Sequence, residues 1–93
     1  MNSKYVVVTT ANRGVFFGVL KQRDIVARTC TLTGARNCLR WSTEVKGFLG
    51  LAAVGPIGDS RVGPAAPELE LNGITSIALA SDAAVAQWEA APW

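Results

Sequence analysis

Apolar positions in this chain gather in short β-branched runs, broken by polar and glycine-containing turns. Tyr5-Val6-Val7-Val8-Thr9-Thr10 predicts a first strand. Asn12-Arg13-Gly14 signals a turn. Val15 to Leu20 predicts a second strand, apolar on both faces and therefore central or covered. Gly18 inside it suggests a bulge, a sharp bend or a close backbone approach. Phe16 and Phe17 point to opposite faces, so a helix must cover one of them or it offers a partner contact. The polar run Lys21-Gln22-Arg23-Asp24 is expected to turn the chain.

Ile25–Thr33 and Arg36–Trp41 predict a third and a fourth strand, joined at Gly34-Ala35 by a two-residue type II′ hairpin turn. This register pairs Thr33 with Arg36, Cys30 with Leu39 and Arg28 with Trp41. It puts Val26, Cys30, Leu32, Leu39 and Trp41 on an apolar face. Thr29, Thr31, Thr33, Arg36, Cys38 and Arg40 fall on a polar, outward face. Cys30 then points to the core and Cys38 outward, so no disulfide is expected between them. Arg28 is placed at the strand start, where it could stack on Trp41.

Val45, Phe48, Leu49 and Ala52 recur at helical spacing, with Ser42 or Thr43 as cap and Gly55-Pro56 as stop. Gly47 and Gly50 weaken that helix by roughly 1 kcal/mol each, so it needs packing against a sheet. Residues 55–67 read as loop. Glu68–Leu71 alternates as a strand, Asn72-Gly73 makes a hairpin turn or bulge, and Ile74–Leu79 continues as strand. Ser81 caps a last short helix with Ala84, Val85 and Trp88 on one face. The expected fold is mainly β, a β-rich α+β chain. About five short strands suit a small, strongly bent SH3-like or Sm-like barrel, with one central and one C-terminal short helix. An α+β roll is the alternative.

Composition narrows the chemistry. The 93 residues make a single domain, 1–93, and contain no His. This removes the commonest general base and every Ser-His or Cys-His nucleophile. The only Cys, Cys30 and Cys38, are too widely spaced for a CxxC pair, so neither a metal nor a cofactor is expected. The N-terminal run is too short and too soon interrupted for a signal peptide, and no apolar stretch reaches membrane-helix length. A cytoplasmic protein with reduced thiols is expected. Residues 1–61 hold all nine Lys and Arg and three acids, whereas residues 62–93 hold four acids and no base. Such asymmetry can mark an anion-binding face, or let two halves or two subunits complement each other.

The sharpest candidate site is an arginine face of Arg36 and Arg40, with Arg13 beside it and Trp41 available to stack. Arg presents a planar fork matched to phosphate or carboxylate, and the neighbouring Thr hydroxyls could help hold a nucleotide phosphate. The plainer reading is a solvated strand face, with Trp41 in the core. Asp59 and Arg61 could form a loop ion pair, and Glu68 and Glu70 share a strand face as solvated acids. No GxGxxG or Walker pattern is present.

The segments Tyr5–Val8, Arg13–Leu20, Ala35–Trp41, Gly50–Pro56 and Gly73–Thr75, with Ala84, Trp88 and Pro92-Trp93, carry a resemblance. The chain resembles a family of small bacteriophage- and prophage-encoded proteins of unknown function. The resemblance implies an accessory protein acting in the host cell cytoplasm, and it brings no catalytic residue. The expected function is non-enzymatic: self-association into a homo-oligomer and binding of a host protein or a small anionic ligand. Countering host antiviral defence, for instance by sequestering an anionic nucleotide signal, fits that setting. Nucleic-acid binding and a minor virion role are the alternatives. A net charge of +2 lies well below the strongly basic profile of nucleic-acid binders. No membrane partner is expected.

Overall fold

The computed structural model describes residues 4–11 and 14–92. Six strands and two short helices follow in the order β1 (Tyr5–Thr10), β2 (Val15–Asp24), β3 (Thr29–Arg40), α1 (Phe48–Ala53), β4 (Arg61–Val62), β5 (Ala66–Asn72), β6 (Ile74–Leu79) and α2 (Asp82–Ala90). A single 3₁₀ turn, Thr43–Val45, precedes α1. All strand pairs are antiparallel, in the order β4-β3-β2-β1-β6, with β5 also paired to β3. The fold is mainly β, and the sheet is open rather than closed into a barrel.

The sheet curls because β5 and β6 are separated only by Gly73 yet pair opposite flanks, β5 with β3 and β6 with β1. Asn72-Gly73 is therefore neither hairpin turn nor simple bulge, but a corner between two ladders. Two apolar clusters result. Val7, Val15, Phe17 and Cys38 meet Leu51, Ala52, Ala84 and Trp88 under the helices. Val6, Val8, Cys30, Leu32, Ala35 and Leu71 meet on the opposite face, within the curl. Both faces of β1 are thus buried, which is why its valines run without polar alternation. Phe17 is buried in the helix-side cluster, and Phe16, half-buried, packs against the other.

The expected hairpin at Gly34-Ala35 is absent; residues 29–40 form one continuous strand. Pairing runs Phe17↔Arg36 and then Val19↔Thr33, so two steps on β2 oppose three on β3. Gly34, at φ +57°, is the extra residue of a bulge. The same left-handed freedom that suits a II′ turn also suits this bulge, and the long β2 ladder decides between them. β2 itself does not turn at Lys21 but runs on to Asp24. The reversal comes at residues 25–28, where Asp24 Oδ1 accepts from the Ala27 N–H at 3.0 Å. Ile25 and Val26, expected in a strand, are 75% and 94% exposed at this tip, and Arg28 leaves it at φ +57°.

The bulge flips side-chain parity. Cys30, Leu32 and Ala35 face one cluster, whereas Cys38 faces the other, under the helices. Arg36 and Cys38 do share a face as read from the sequence, but that face is covered and both are buried. Leu39 and Trp41, expected in the core, are exposed. Both thiols are free and buried; burial raises Cys30 and pushes Cys38 up to about 11.

The central helix is shorter than the apolar spacing suggests. Ser42 caps the 3₁₀ turn, its Oγ accepting from the Glu44 N–H at 3.1 Å, and α1 begins only at Phe48. Gly50 is required there: a Cβ would stand 1.5 Å from the Val45 carbonyl oxygen. The two-residue β4 lies in the stretch read as loop and carries no periodic signal of its own. α2 starts as expected, with Ser81 Oγ accepting from the Ala84 N–H at 3.1 Å. Its Trp88 stacks on Phe17 at 4.8 Å and donates from Nε1 to the Leu51 carbonyl at 3.0 Å.

Candidate functional site

Among the described residues, Arg36 is the one basic side chain that the fold draws inside: it is 7% exposed. Its position follows from the bulge, which turns it toward the end of α2. Nε donates to the Gly63 carbonyl at 2.8 Å and Nη1 to the Trp88 carbonyl at 2.5 Å. Trp88 lies among the last four residues of α2, whose carbonyls have no partner within the helix. No basic residue occupies that last turn, so a guanidinium from the sheet meets the negative end of the helix dipole. Burial lowers the Arg36 pKa from its ordinary value. The guanidinium nevertheless stays charged near neutral pH.

Among the described residues that charge has no carboxylate partner. The ion pairs among the described residues are Lys21–Glu68 at 2.8 Å and Arg40–Asp59, both on the surface. Arg36 Nη2 is buried and has no hydrogen-bond partner among the described residues. Natural interiors leave few such groups unsatisfied.

Beside Arg36 runs a groove of about 760 Å³. Tyr5, Val19, Thr33 and Glu89 line it, as do Ala65 and Pro92 from outside any helix or strand. Tyr5 ends a three-ring stack, lying 5.6 Å from Phe17, which in turn lies on Trp88. Its hydroxyl donates to Glu89 Oε2 at 3.4 Å. The groove thus holds one cation, one acid, two hydroxyls and an apolar wall.

The other expected site residues are elsewhere. Arg40 is exposed and held by Asp59, so the expected Asp59–Arg61 pair is replaced by Asp59–Arg40. Trp41 lies next to Arg40 in a separate shallow hollow of about 480 Å³. Arg13 falls outside the described residues. Glu68 is tied to Lys21, whose pKa the Glu68 bond raises. The arginine face is therefore not one site: Arg36 has gone in and Arg40 has stayed out. Tyr5 and Glu89 were not identifiable from the sequence, because they meet only through the fold, 84 positions apart. Among the described residues no group of three His, Cys, Asp or Glu could hold a metal, and no helix is long and apolar enough to cross a membrane.

Fold and groove define a class: a small open-sheet β protein with helices on one face and an internal arginine bordering a cleft. The chain belongs to the DUF6948 family, a domain of unknown function, whose profile matches residues 3–88. No curated protein and no solved structure matches it.

Proposed function

We propose that this protein is a non-catalytic binding module that receives a small ligand, or a side chain of a partner, in the groove beside Arg36. The observation that carries this reading is Arg36, buried beside the groove, paired with no acid among the described residues, and keeping a buried, unpartnered Nη2. A guanidinium in that position is a costly feature unless something completes its shell. The groove's volume lies within the range typical of small-molecule sites. A catalytic reading has little to build on: the chain has no His, and burial keeps both thiols protonated at neutral pH.

We read the curled sheet, buckled at Gly73, as a variant of the small bent barrel expected from the sequence. We also read it as self-associating. The segment Ile74–Leu79 contains no charge and no proline, and among the described residues the outer edge of β6 pairs no strand. Edges that stay single are usually blunted by one of those devices. β5 carries Pro67, Glu68 and Glu70, and β4 is only two residues long. An accessory role in the cytoplasm of a phage-infected cell, including action against a host defence, is supported by the family resemblance alone. The reading as a nucleic-acid binder weakens, since Arg36 is buried and Arg40 is neutralised by Asp59.

Native mass spectrometry of protein purified from bacterial cells, followed by denaturation, tests this reading. A multimer that releases a small molecule is the expected result. A monomer that releases nothing, and that binds nothing when Arg36 is followed by NMR, would sink it.

A further inference from the structure

Taking the groove as a binding site, we propose that its ligand is a zwitterion of amino-acid type: one carboxylate for Arg36, one ammonium for Glu89, and an apolar side chain for the groove wall. The argument is one of donor count and charge. Arg36 has already committed Nε to Gly63 and Nη1 to Trp88. Three N–H groups remain, one on Nη1 and two on Nη2, which is enough for a carboxylate. A phosphate dianion would set two negative charges against a single guanidinium, with Glu89 on the same groove.

Glu89 sharpens the choice. It lines the same groove and makes no ion pair within the described residues. A polyanion would be pushed away by it, whereas an ammonium would be attracted. Cation and acid together leave the groove close to neutral, which suits a ligand whose own charges cancel. Tyr5, Val19 and Pro92 supply the apolar wall. Nη2 is shut off from solvent, so binding at it requires part of the groove lining to move. Ala65 and Pro92 line the groove outside helix and strand, where backbone is less constrained. This assignment departs from the anionic nucleotide expected from the sequence, because the second arginine of that expectation is not at the site.

The test follows the Arg36 Nε–H resonance of the full ¹⁵N-labelled chain during titration with L-phenylalanine, benzoate, inorganic phosphate and AMP. L-Phenylalanine should shift it saturably, together with the Thr33 and Glu89 amides. Benzoate should bind about tenfold more weakly, the loss expected for one missing charge-assisted contact. Glu89→Gln, a change at an exposed position, should remove the advantage of phenylalanine over benzoate by weakening phenylalanine, while benzoate, relieved of a repelling charge, binds no more weakly than before. If that advantage survives Glu89→Gln, the ammonium assignment is wrong. If phosphate or AMP moves the resonance and phenylalanine does not, the zwitterion is overturned while the groove stands as a site. If no probe moves it, both readings fall.

Discussion

Arg36 donates from Nη1 to the carbonyl of Trp88 at 2.5 Å, fastening the middle of β3 to the last turn of α2 across 52 positions of sequence. The bond ends α2 from outside the helix and brings a positive charge to the groove.

Replacing Arg36 should therefore destabilise the whole fold. Arg36→Met leaves the Gly63 and Trp88 carbonyls without donors, and the expected loss is about 3 kcal/mol. Arg36→Lys keeps the charge but cannot reproduce the forked geometry, and about half of that loss is expected. Urea unfolding of the three proteins measures both. An unchanged midpoint for Arg36→Met would mean that the two bonds contribute nothing net.

The two glycines described above should respond differently to alanine. At Gly34 no atom lies within 4 Å of the added Cβ, so the cost is the left-handed backbone alone, about 1 kcal/mol. At Gly50 the Cβ meets the Val45 carbonyl, and Gly50→Ala should cost about 3 kcal/mol or more. Thermal melts that rank the two variants in the opposite order would contradict this geometry.

The parity flip at the bulge predicts a contrast between two leucines of one strand. Leu32 is wholly buried, and Leu32→Ala should cost about 3 kcal/mol. Leu39 is 64% exposed, and Leu39→Ala should stay within about 0.5 kcal/mol of the parent. Equal losses would favour the hairpin register over the bulge.

Cys38 should make stability fall at alkaline pH. Burial pushes its pKa from 9.0 up to about 11, so the folded protein keeps a proton that the unfolded chain releases. Stability is then complete below about pH 9 and declines as pH rises toward 11. Cys38→Ala should flatten that decline in a series of urea titrations. At pH 8 a thiol reagent should leave native Cys30 and Cys38 largely untouched and label both on unfolding; rapid labelling of the native protein would contradict their burial.

A charge placed on the outer edge of β6 should weaken self-association. Thr75 is exposed on that strand, and Thr75→Lys adds the device its edge lacks. Sedimentation should show lower order for the variant, with helix and strand content unchanged by circular dichroism. The same order in both proteins would place the contact elsewhere.

Local patterns carried β1, β6 and α2 directly, because each is decided by its own residues: a valine run, a stretch holding Ile74, Thr75 and Ile77 with no glycine or proline, and a serine cap before an apolar face. The β2–β3 region was not legible. Gly34 permits either a turn or a bulge, and the choice rests on partners more than ten residues away. Ile25 and Val26 look like strand by composition, yet the Asp24 side chain closes a turn around them. The groove was half legible. Arg36 and the threonine hydroxyl next to it share a face that could be read in advance; that α2 lies over this face could not.

β3 gives side chains to both apolar clusters and backbone bonds to β2, β4 and β5. Neither layer can therefore loosen while the other stays intact. Opening one end of β3 exposes residues that hold the other, so partial unfolding gains little entropy before the whole structure is lost. Its amide protons should exchange with solvent only through that complete opening, as one slow class.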